Sequence, residues 1–236
     1  YFTEFSTVWI QDPLVLYRSY LWAVPLPGLL AVLLTGLRPR TIYVLGVVLT
    51  LVLTPLAVER VLSLKNEQTA WQDAIDKIDR TAPANALGRA RAHINMGVYL
   101  MGKQRMEEAQ RQFEIAIAYN DPGDMATAPR VNLGVLAHKQ GQHAKALEYF
   151  AAARQLGADG ISMAFYSGLS QFALGQFAQA EASFKRSLDI LPQHPGNQHL
   201  EPLMRERYAD AALAAQHFDV AITALRTLAQ RQPEPA

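Results

Sequence analysis

Two long apolar runs lie in the first quarter of the chain. Residues 19–37 hold no charged side chain over 19 positions, and residues 41–58 hold none over 18. In a helix rising about 1.5 Å per residue, each run would measure about 27–29 Å, close to the ~30 Å hydrocarbon thickness of a bilayer. Only residues 38–40 separate them. Buried helices of a soluble protein give similar runs, but two in tandem with so short a link favour an antiparallel transmembrane hairpin over residues 14–58.

The link between the two runs is basic. Arg38 and Arg40 are its only charges, and short loops rich in Arg and Lys usually remain in the cytoplasm. This rule orients the hairpin with both ends outward and places the rest of the chain on the outer, periplasmic side of a bacterial inner membrane. Basic residues at the other boundary, among them Arg18 and Arg60, oppose this orientation.

The polar remainder of the chain repeats one pattern. A glycine is followed by an alanine, a phenylalanine and another small residue at fixed distances. The three sets are Gly97, Ala109, Phe113 and Ala116; Gly134, Ala146, Phe150 and Ala153; and Gly168, Ala180, Phe184 and Ser187. Corresponding positions lie 37 and then 34 residues apart. A weaker fourth unit with Ala221 and Leu225 follows 41 residues later, with its extra length in residues 193–200.

This pattern resembles the tetratricopeptide repeat, in which small residues let two antiparallel helices approach closely. The resemblance implies an α-solenoid over residues 89–236, with three clear units and a weaker fourth. The predicted fold class is therefore all-α, a transmembrane helical hairpin followed by the solenoid. Residues 1–13 are predicted to be an extracytoplasmic segment before the membrane. Because the chain begins with Tyr1, we expect it to be part of a longer protein.

An amphipathic segment joins the hairpin to the repeats. Its apolar positions recur every three to four residues, which is typical of a helix: Val61, Leu62, Leu64, Ala70, Trp71, Ala74, Ile75 and Ile78. We expect one or two connecting helices within residues 59–88 that cap the first repeat.

Composition and charge exclude several classes of function. The 236 residues carry 22 Lys and Arg against 21 Asp and Glu, a net charge of +1, so no broad basic surface for nucleic acid is expected. The chain has no cysteine, which removes disulfides, thiolate metal sites and cysteine nucleophiles together.

No catalytic constellation is evident in the sequence. It lacks a Gly-rich phosphate loop, a nucleophile elbow and an HExxH motif. His194 and His199 share the insertion at residues 193–200, and we expect a solvated loop there rather than a metal site. Glu107 and Glu108 fit an ordinary charged helix face. We therefore predict no catalytic residue, no metal and no cofactor within this chain, and leave open whether its parent is an enzyme.

A second resemblance concerns residues 12–23, which read DPLVLYRSYLWA. Followed by a membrane hairpin and repeats, this stretch resembles the C-terminal part of bacterial relatives of the transmembrane and tetratricopeptide-repeat O-mannosyltransferases, whose last membrane segments begin with a Glu-His-Arg-x-Tyr-Leu-Pro-like motif. The matching residues are Arg18, Tyr20 and Leu21. The residues that differ are Leu16, Tyr17 and Trp22.

This second resemblance implies a polytopic glycosyltransferase that uses a lipid-phosphate-linked sugar, with its catalytic acidic residue upstream of Tyr1. Arg18, beside Tyr20 at the membrane boundary, would then pair with the lipid-linked phosphate. The alternative is that both residues only anchor the chain at the interface. The alternative for the whole chain is a non-enzymatic, membrane-anchored scaffold that assembles an envelope or membrane complex.

In either case the repeats are expected to bind a protein partner. The first helix of each unit lines the concave side of such a solenoid, and its stripe is predicted to be exposed: Ile94, Asn95, Val98 and Met101; Val131, Asn132 and Val135; and Phe165, Leu169 and Phe172. This groove is predicted to prefer an extended or helical apolar segment. Burial of the stripe by the chain's own helices is the alternative. The predicted partners are thus a protein segment, membrane lipids and, through the second resemblance, a lipid-linked sugar, but no nucleic acid.

Overall fold

The computed structural model of the chain describes Val32 and residues 34–79, 81–82, 86 and 88–231. Residues 19–31 and 33 of the predicted first membrane span, the segment 1–13 before it, and Arg18 and Tyr20 therefore lie outside the described residues. All regular structure within the described residues is helical. The chain divides into two units, Tyr1–Met96 and Gly97–Ala236, which are described separately below.

The first unit contains a long apolar helix, α1, at Pro39–Ser63. A turn with Gly36 at a φ of 94° precedes it, and Pro39 fits its first turn because the N–H of that position has no acceptor within a helix. The helix runs five residues past the predicted end of the second span at Val58. Every side chain in residues 39–59 is exposed. With a mean hydropathy of 2.3, α1 is the helix in the described part of the chain that is long and apolar enough to cross a membrane.

A short amphipathic helix, α2, follows at Glu67–Asp76. The side chain of Asn66 accepts a hydrogen bond from the Thr69 N–H at 2.9 Å, and the Thr69 hydroxyl accepts one from the Asn66 N–H at 3.2 Å, so the helix begins with a capping box. Ion pairs join it to the end of α1, with 3.3 Å between Arg60 and Asp73 and 3.2 Å between Lys77 and Glu59. The connecting segment thus consists of the last turn of α1, a break at residues 64–66 and α2.

The second unit is built from antiparallel helix pairs. Helix α3 (Arg89–Gly102) spans the boundary between the units. The helices that follow are α4 (Met106–Ala118), α5 (Asp124–Lys139), α6 (His143–Gln155), α7 (Ile161–Ala173), α8 (Phe177–Ile190), α9 (Glu201–Ala214) and α10 (Phe218–Arg231). The insertion at residues 193–200, predicted to be a solvated loop, is mainly exposed, but it is not irregular, since 3-10 helices form at Leu191–Gln193 and Pro195–Leu200.

The turn inside each helix pair has the same geometry. One residue takes a left-handed backbone conformation: Gln104, Gly141, Gly175 and Gln216, with φ between 62° and 76°. The next residue donates its N–H to a carbonyl five positions back, at 2.8–2.9 Å in each case, which satisfies a helix-end carbonyl. These four residues lie 37, 34 and 41 positions apart, the spacing predicted for the repeat.

The repeat signature residues form the core of the second unit. Phe113, Phe150 and Phe184 are at most 2 % exposed, and each ring lies against the glycine of its own pair, at Gly97, Gly134 and Gly168. The small residues of the signature are equally buried: Ala109, Ala116, Ala146, Ala153, Ala180 and Ser187. A side chain larger than hydrogen at the glycines would separate the helices, so the close approach requires this composition.

Candidate functional site

An apolar groove lies on helices α7, α8 and α9. It has a volume of about 300 Å³ and is lined by Phe165, Leu169, Phe172, Phe184, Leu203, Arg207 and Asp210; we call it the C-terminal groove. Residues 165, 169 and 172 follow the i, i+4, i+7 spacing of one helix face. Phe165 and Leu169 also pack against the core cluster that contains Phe184 and Ala211, so the floor of the groove is continuous with the core and is held rigidly.

The rim of the groove carries a charged pair. Arg207 donates to Asp210 at 3.1 Å, and both side chains are about two-fifths exposed. A guanidinium has five N–H donors, so Arg207 retains donors for a ligand carbonyl or carboxylate while it remains paired. Phe172 and Leu203 are the most open apolar walls, at 37 % and 41 % exposed. The arrangement suits an apolar segment with a backbone carbonyl near its edge.

The structure brings three of the ten predicted stripe residues together in this groove: Phe165, Leu169 and Phe172. The predicted exposure of Ile94 and Val135 is wrong, since each is only 6 % exposed. Val135 belongs to a core cluster with Phe150 and Met163, because helices α6 and α7 cover the face of α5 that the repeat pattern left open. Val135 is therefore a core residue rather than part of an exposed stripe.

The other stripe residues lie between these extremes. Met101 and Val131 are half-buried and pack against the same core cluster as Val135. Asn95 and Asn132 are also half-buried, while Val98 is exposed. Self-burial, the alternative prediction, thus applies to Ile94, Met101, Val131 and Val135, whereas the third unit keeps an open apolar surface.

One histidine and one serine contact each other where the second repeat unit meets the third. His138 Nδ1 lies 3.0 Å from the Ser170 hydroxyl, and Ser170 is fully buried. Burial lowers the pKa of His138 below its usual value, and the neighbouring His143 and Lys139 lower it further. Among the described residues no carboxylate is hydrogen-bonded to His138, and Ser170 is inaccessible to solvent, so this pair is a structural contact rather than a nucleophile and base.

The described residues contain no group of three histidine, aspartate or glutamate side chains that lie close enough together to hold a metal ion. His194 and His199 lie in the 3-10 segment, where His199 Nδ1 is 3.1 Å from the Gly196 carbonyl. Glu107 and Glu108 lie in the first turn of α4, and Glu108 pairs with Arg105 at 2.6 Å. The carboxylate favours the charged form of the partner and raises the pKa of Arg105.

Sequence reasoning missed the contribution of the fourth pair to the groove. Leu203, Arg207 and Asp210 lie on α9, which carries no glycine signature. Their i, i+4, i+7 spacing is the signal that could have found them. A second, more open depression also went unpredicted; it is lined by Arg154, Gly157, Ala158, Asp159 and Arg186, and its Arg186 forms a two-bond ion pair with Asp159.

Comparison with known proteins identifies the repeat. Residues 94–161 match the family model described as tetratricopeptide repeat. No curated protein matches the chain. Among solved structures, the chain is similar to the crystal structure of BtubC (BKLC) from P. vanneervenii, at 14 % identity and a TM-score of 0.57, over 70 % of this chain and 74 % of that one. It also matches the APC/C hetero-tetramer Cut9-Hcn1, at 16 % identity and a TM-score of 0.39, over 68 % of this chain and 36 % of that one.

The matched repeat and the similarity to BtubC agree with the helix pairs described above. The likeness at 14 % identity concerns the fold alone. The described residues therefore contain a tetratricopeptide-repeat module of the α-solenoid class, a class whose general role is to bind protein partners. The predicted all-α fold with repeats is confirmed to this extent.

Proposed function

We propose that this chain is a membrane-anchored protein-binding module whose C-terminal groove takes an apolar segment of a partner protein. The observation that carries the proposal is the groove itself, which has a volume of about 300 Å³ and is lined mainly by apolar side chains on packed helices. This volume is at the lower end for ligand sites, which suits two or three apolar side chains of a peptide. A helical segment would present them at i, i+4 spacing, and an extended one at alternate positions.

Site-specific photo-crosslinking in cells tests this function. A photoreactive amino acid at Leu203, on the groove wall, is expected to give one discrete adduct. The matched control carries the photoreactive amino acid at Leu156 instead. Leu156 is 49 % exposed but does not line the groove. The adduct at Leu203 should disappear when Phe172→Asp is added, because a carboxylate in the apolar wall loses its hydration without a partner. Adducts at both positions, or at neither, would reject the groove as the binding site.

The proposed anchor is α1 together with the predicted span before it. The support is the length of α1, its mean hydropathy of 2.3 and its uncovered apolar surface, since so large an exposed apolar area is unfavourable in water. The basic residues Arg38 and Arg40 support a periplasmic location for the repeats. The chain has no cysteine, so single cysteines at Gln142 and Gln216 report sidedness. An impermeant thiol reagent should label both cysteines in intact spheroplasts. Labelling only after lysis would show that the repeats lie on the cytoplasmic side and would contradict the proposed topology.

On the sequence resemblance of residues 12–23, we further propose that the module is the C-terminal region of a protein glycosyltransferase that uses a lipid-phosphate-linked sugar. The repeats would then present the acceptor protein, and Arg18 would face the lipid-linked phosphate. Eight or more upstream spans with an acidic first outer loop in the full-length gene would support this parentage. A Met codon directly before this region would favour the second candidate, a non-enzymatic scaffold of an envelope or membrane complex, for which the binding groove alone suffices.

A further inference from the structure

The last helix that the structure describes, α10 (Phe218–Arg231), exposes one apolar face. Phe218, Ile222 and Leu225 are 58 %, 51 % and 42 % exposed, respectively. The adjacent face includes Ala221 and Ala224, which are at most 4 % exposed, and α10 packs against α9. The exposed residues are spaced i, i+4, i+7, so they form a continuous row along the helix.

The repeat register shows why this row is unusual. Leu225 lies at the position of Phe184, Phe150 and Phe113 in the preceding units, and those rings are at most 2 % exposed. In the third repeat unit this position is Phe184 on α8. The following helix α9 packs against α8 and so helps to cover Phe184. No helix follows α10 within the described residues. The row is thus apolar surface that no other described residue covers, and a contiguous apolar surface of this kind is typical of an interaction site.

The charges beside the row indicate what covers it. With Ala229, the exposed row has spacings of four, three and four residues, which is the seam of a two-helix coiled coil. If two α10 helices pack antiparallel along this seam, Ile222 meets Leu225 of the partner subunit. Asp219 then lies beside Arg226 of the partner subunit, and the symmetry axis repeats the contact. Both charged residues are exposed, so the face is complementary to itself in charge as well as in apolar pattern.

We propose that the open face of α10 is a self-association surface at which two copies of this chain pair through antiparallel α10 helices. One helix face buries less area than the ~1,200–2,000 Å² of a standard interface. The dimer is therefore expected to dissociate in the micromolar range. The surface is separate from the C-terminal groove, none of whose lining residues lies on α10.

Charge reversal in the full chain, purified in detergent, tests the proposal by sedimentation velocity across a concentration series. Asp219→Arg and Arg226→Asp each place like charges at both contacts, and each should raise the dimer dissociation constant by about tenfold or more. The combined variant restores opposite charges and should return the constant to the wild-type value. Asp189→Arg is the matched control, since Asp189 is exposed on α8 and its reversal should leave the dimer unchanged. Far-UV circular dichroism verifies that each variant is folded.

Several results would overturn the proposal. A wild-type chain that stays monomeric at about 100 µM has no such dimer. Single reversals that leave the dissociation constant unchanged, or a combined variant that fails to restore it, show that association uses another surface. If the chain is monomeric, the variant Leu225→Cys, which has no other cysteine, shows whether the α10 face is covered or open. Protection of the thiol means that the chain's own residues cover α10, and rapid labelling means that the face is open; in a monomer either outcome rejects self-association.

Discussion

The ring of Phe150 lies against the backbone of Gly134, so close that a β-carbon at residue 134 would overlap its edge carbons. The same contact recurs between Phe184 and Gly168, where the distance from that added carbon to the ring would be 2.7 Å. Each phenylalanine therefore acts as the knob that sets the separation of its two helices, and each glycine provides the space. This pairing gives the first three repeat units the same helix separation, so it also fixes the positions of α7 and α8, two of the three helices that form the groove.

Replacing Gly134 with alanine should destabilise the module. Phe150 is 2 % exposed and has no room to move away, so the added methyl forces either the ring or the helix out of place. Such overpacking typically costs about 1–3 kcal/mol. Denaturant unfolding followed by circular dichroism measures the loss.

The matched control for that variant is Gly102→Ala. Gly102 is in the last turn of α3, and a β-carbon there would meet no atom within 4 Å. Alanine at this helical position should leave stability unchanged or raise it slightly, since it is the better helix former. Equal losses in both variants would show that the cost does not come from the Phe150 contact.

Replacing Gln216 with glycine should stabilise the fourth pair. Gln216 has a φ of 64° at the turn position that Gly141 and Gly175 occupy in the second and third units. A left-handed conformation costs a side-chain-bearing residue about 1 kcal/mol relative to glycine. The unfolding midpoint should therefore rise. Gln176→Gly is the control, because Gln176 has a φ of −86° and gains nothing from the substitution; a rise in both would contradict the strain at residue 216.

Stability should decrease with acidification through His138. Its pKa is lowered in the folded state by burial first, and then by His143 and Lys139. The unfolded chain therefore binds the proton more tightly, and this contribution to stability is complete above the ordinary pKa of 6.5. It is lost progressively as the pH falls from 6.5 through the lower folded-state value.

The measurement for that prediction is the urea midpoint between pH 7 and pH 5. The midpoint should fall in the wild type and fall less in His138→Gln, which has no proton to gain. His199→Gln, at an exposed histidine, should retain the full decrease. An unaltered decrease in His138→Gln would assign the pH dependence to other groups.

Much of the fold could be predicted because its contacts are local. The glycine, alanine and phenylalanine of a unit meet within one helix pair, so their spacing along the chain reports a real packing contact. The exposure of Val135 could not be predicted in this way. It depends on Phe150 and Met163 of later helices, and the repeat pattern of α5 does not contain that information.

The candidate site shows the same limit. Phe165, Leu169 and Phe172 were predicted from their helix face, but the opposite wall at Leu203 and Arg207 comes from α9, beyond an insertion that breaks the repeat spacing. The left-handed turns at Gln104 and Gln216 were missed for a related reason, since glutamine carries no turn signal. Only their register with Gly141 and Gly175 indicates the conformation.

The measurement that tests the central claim most directly is selection of displayed random peptides on the purified full chain, followed by affinity measurement on groove variants. Selected peptides should be rich in apolar residues at i, i+4 or alternate positions. Leu203→Asp should weaken their binding by about tenfold or more, while Leu156→Asp leaves it unchanged. Peptides that bind Leu203→Asp as tightly as the wild-type chain, or selection of mainly acidic sequences, would contradict an apolar recognition groove on helices α7, α8 and α9.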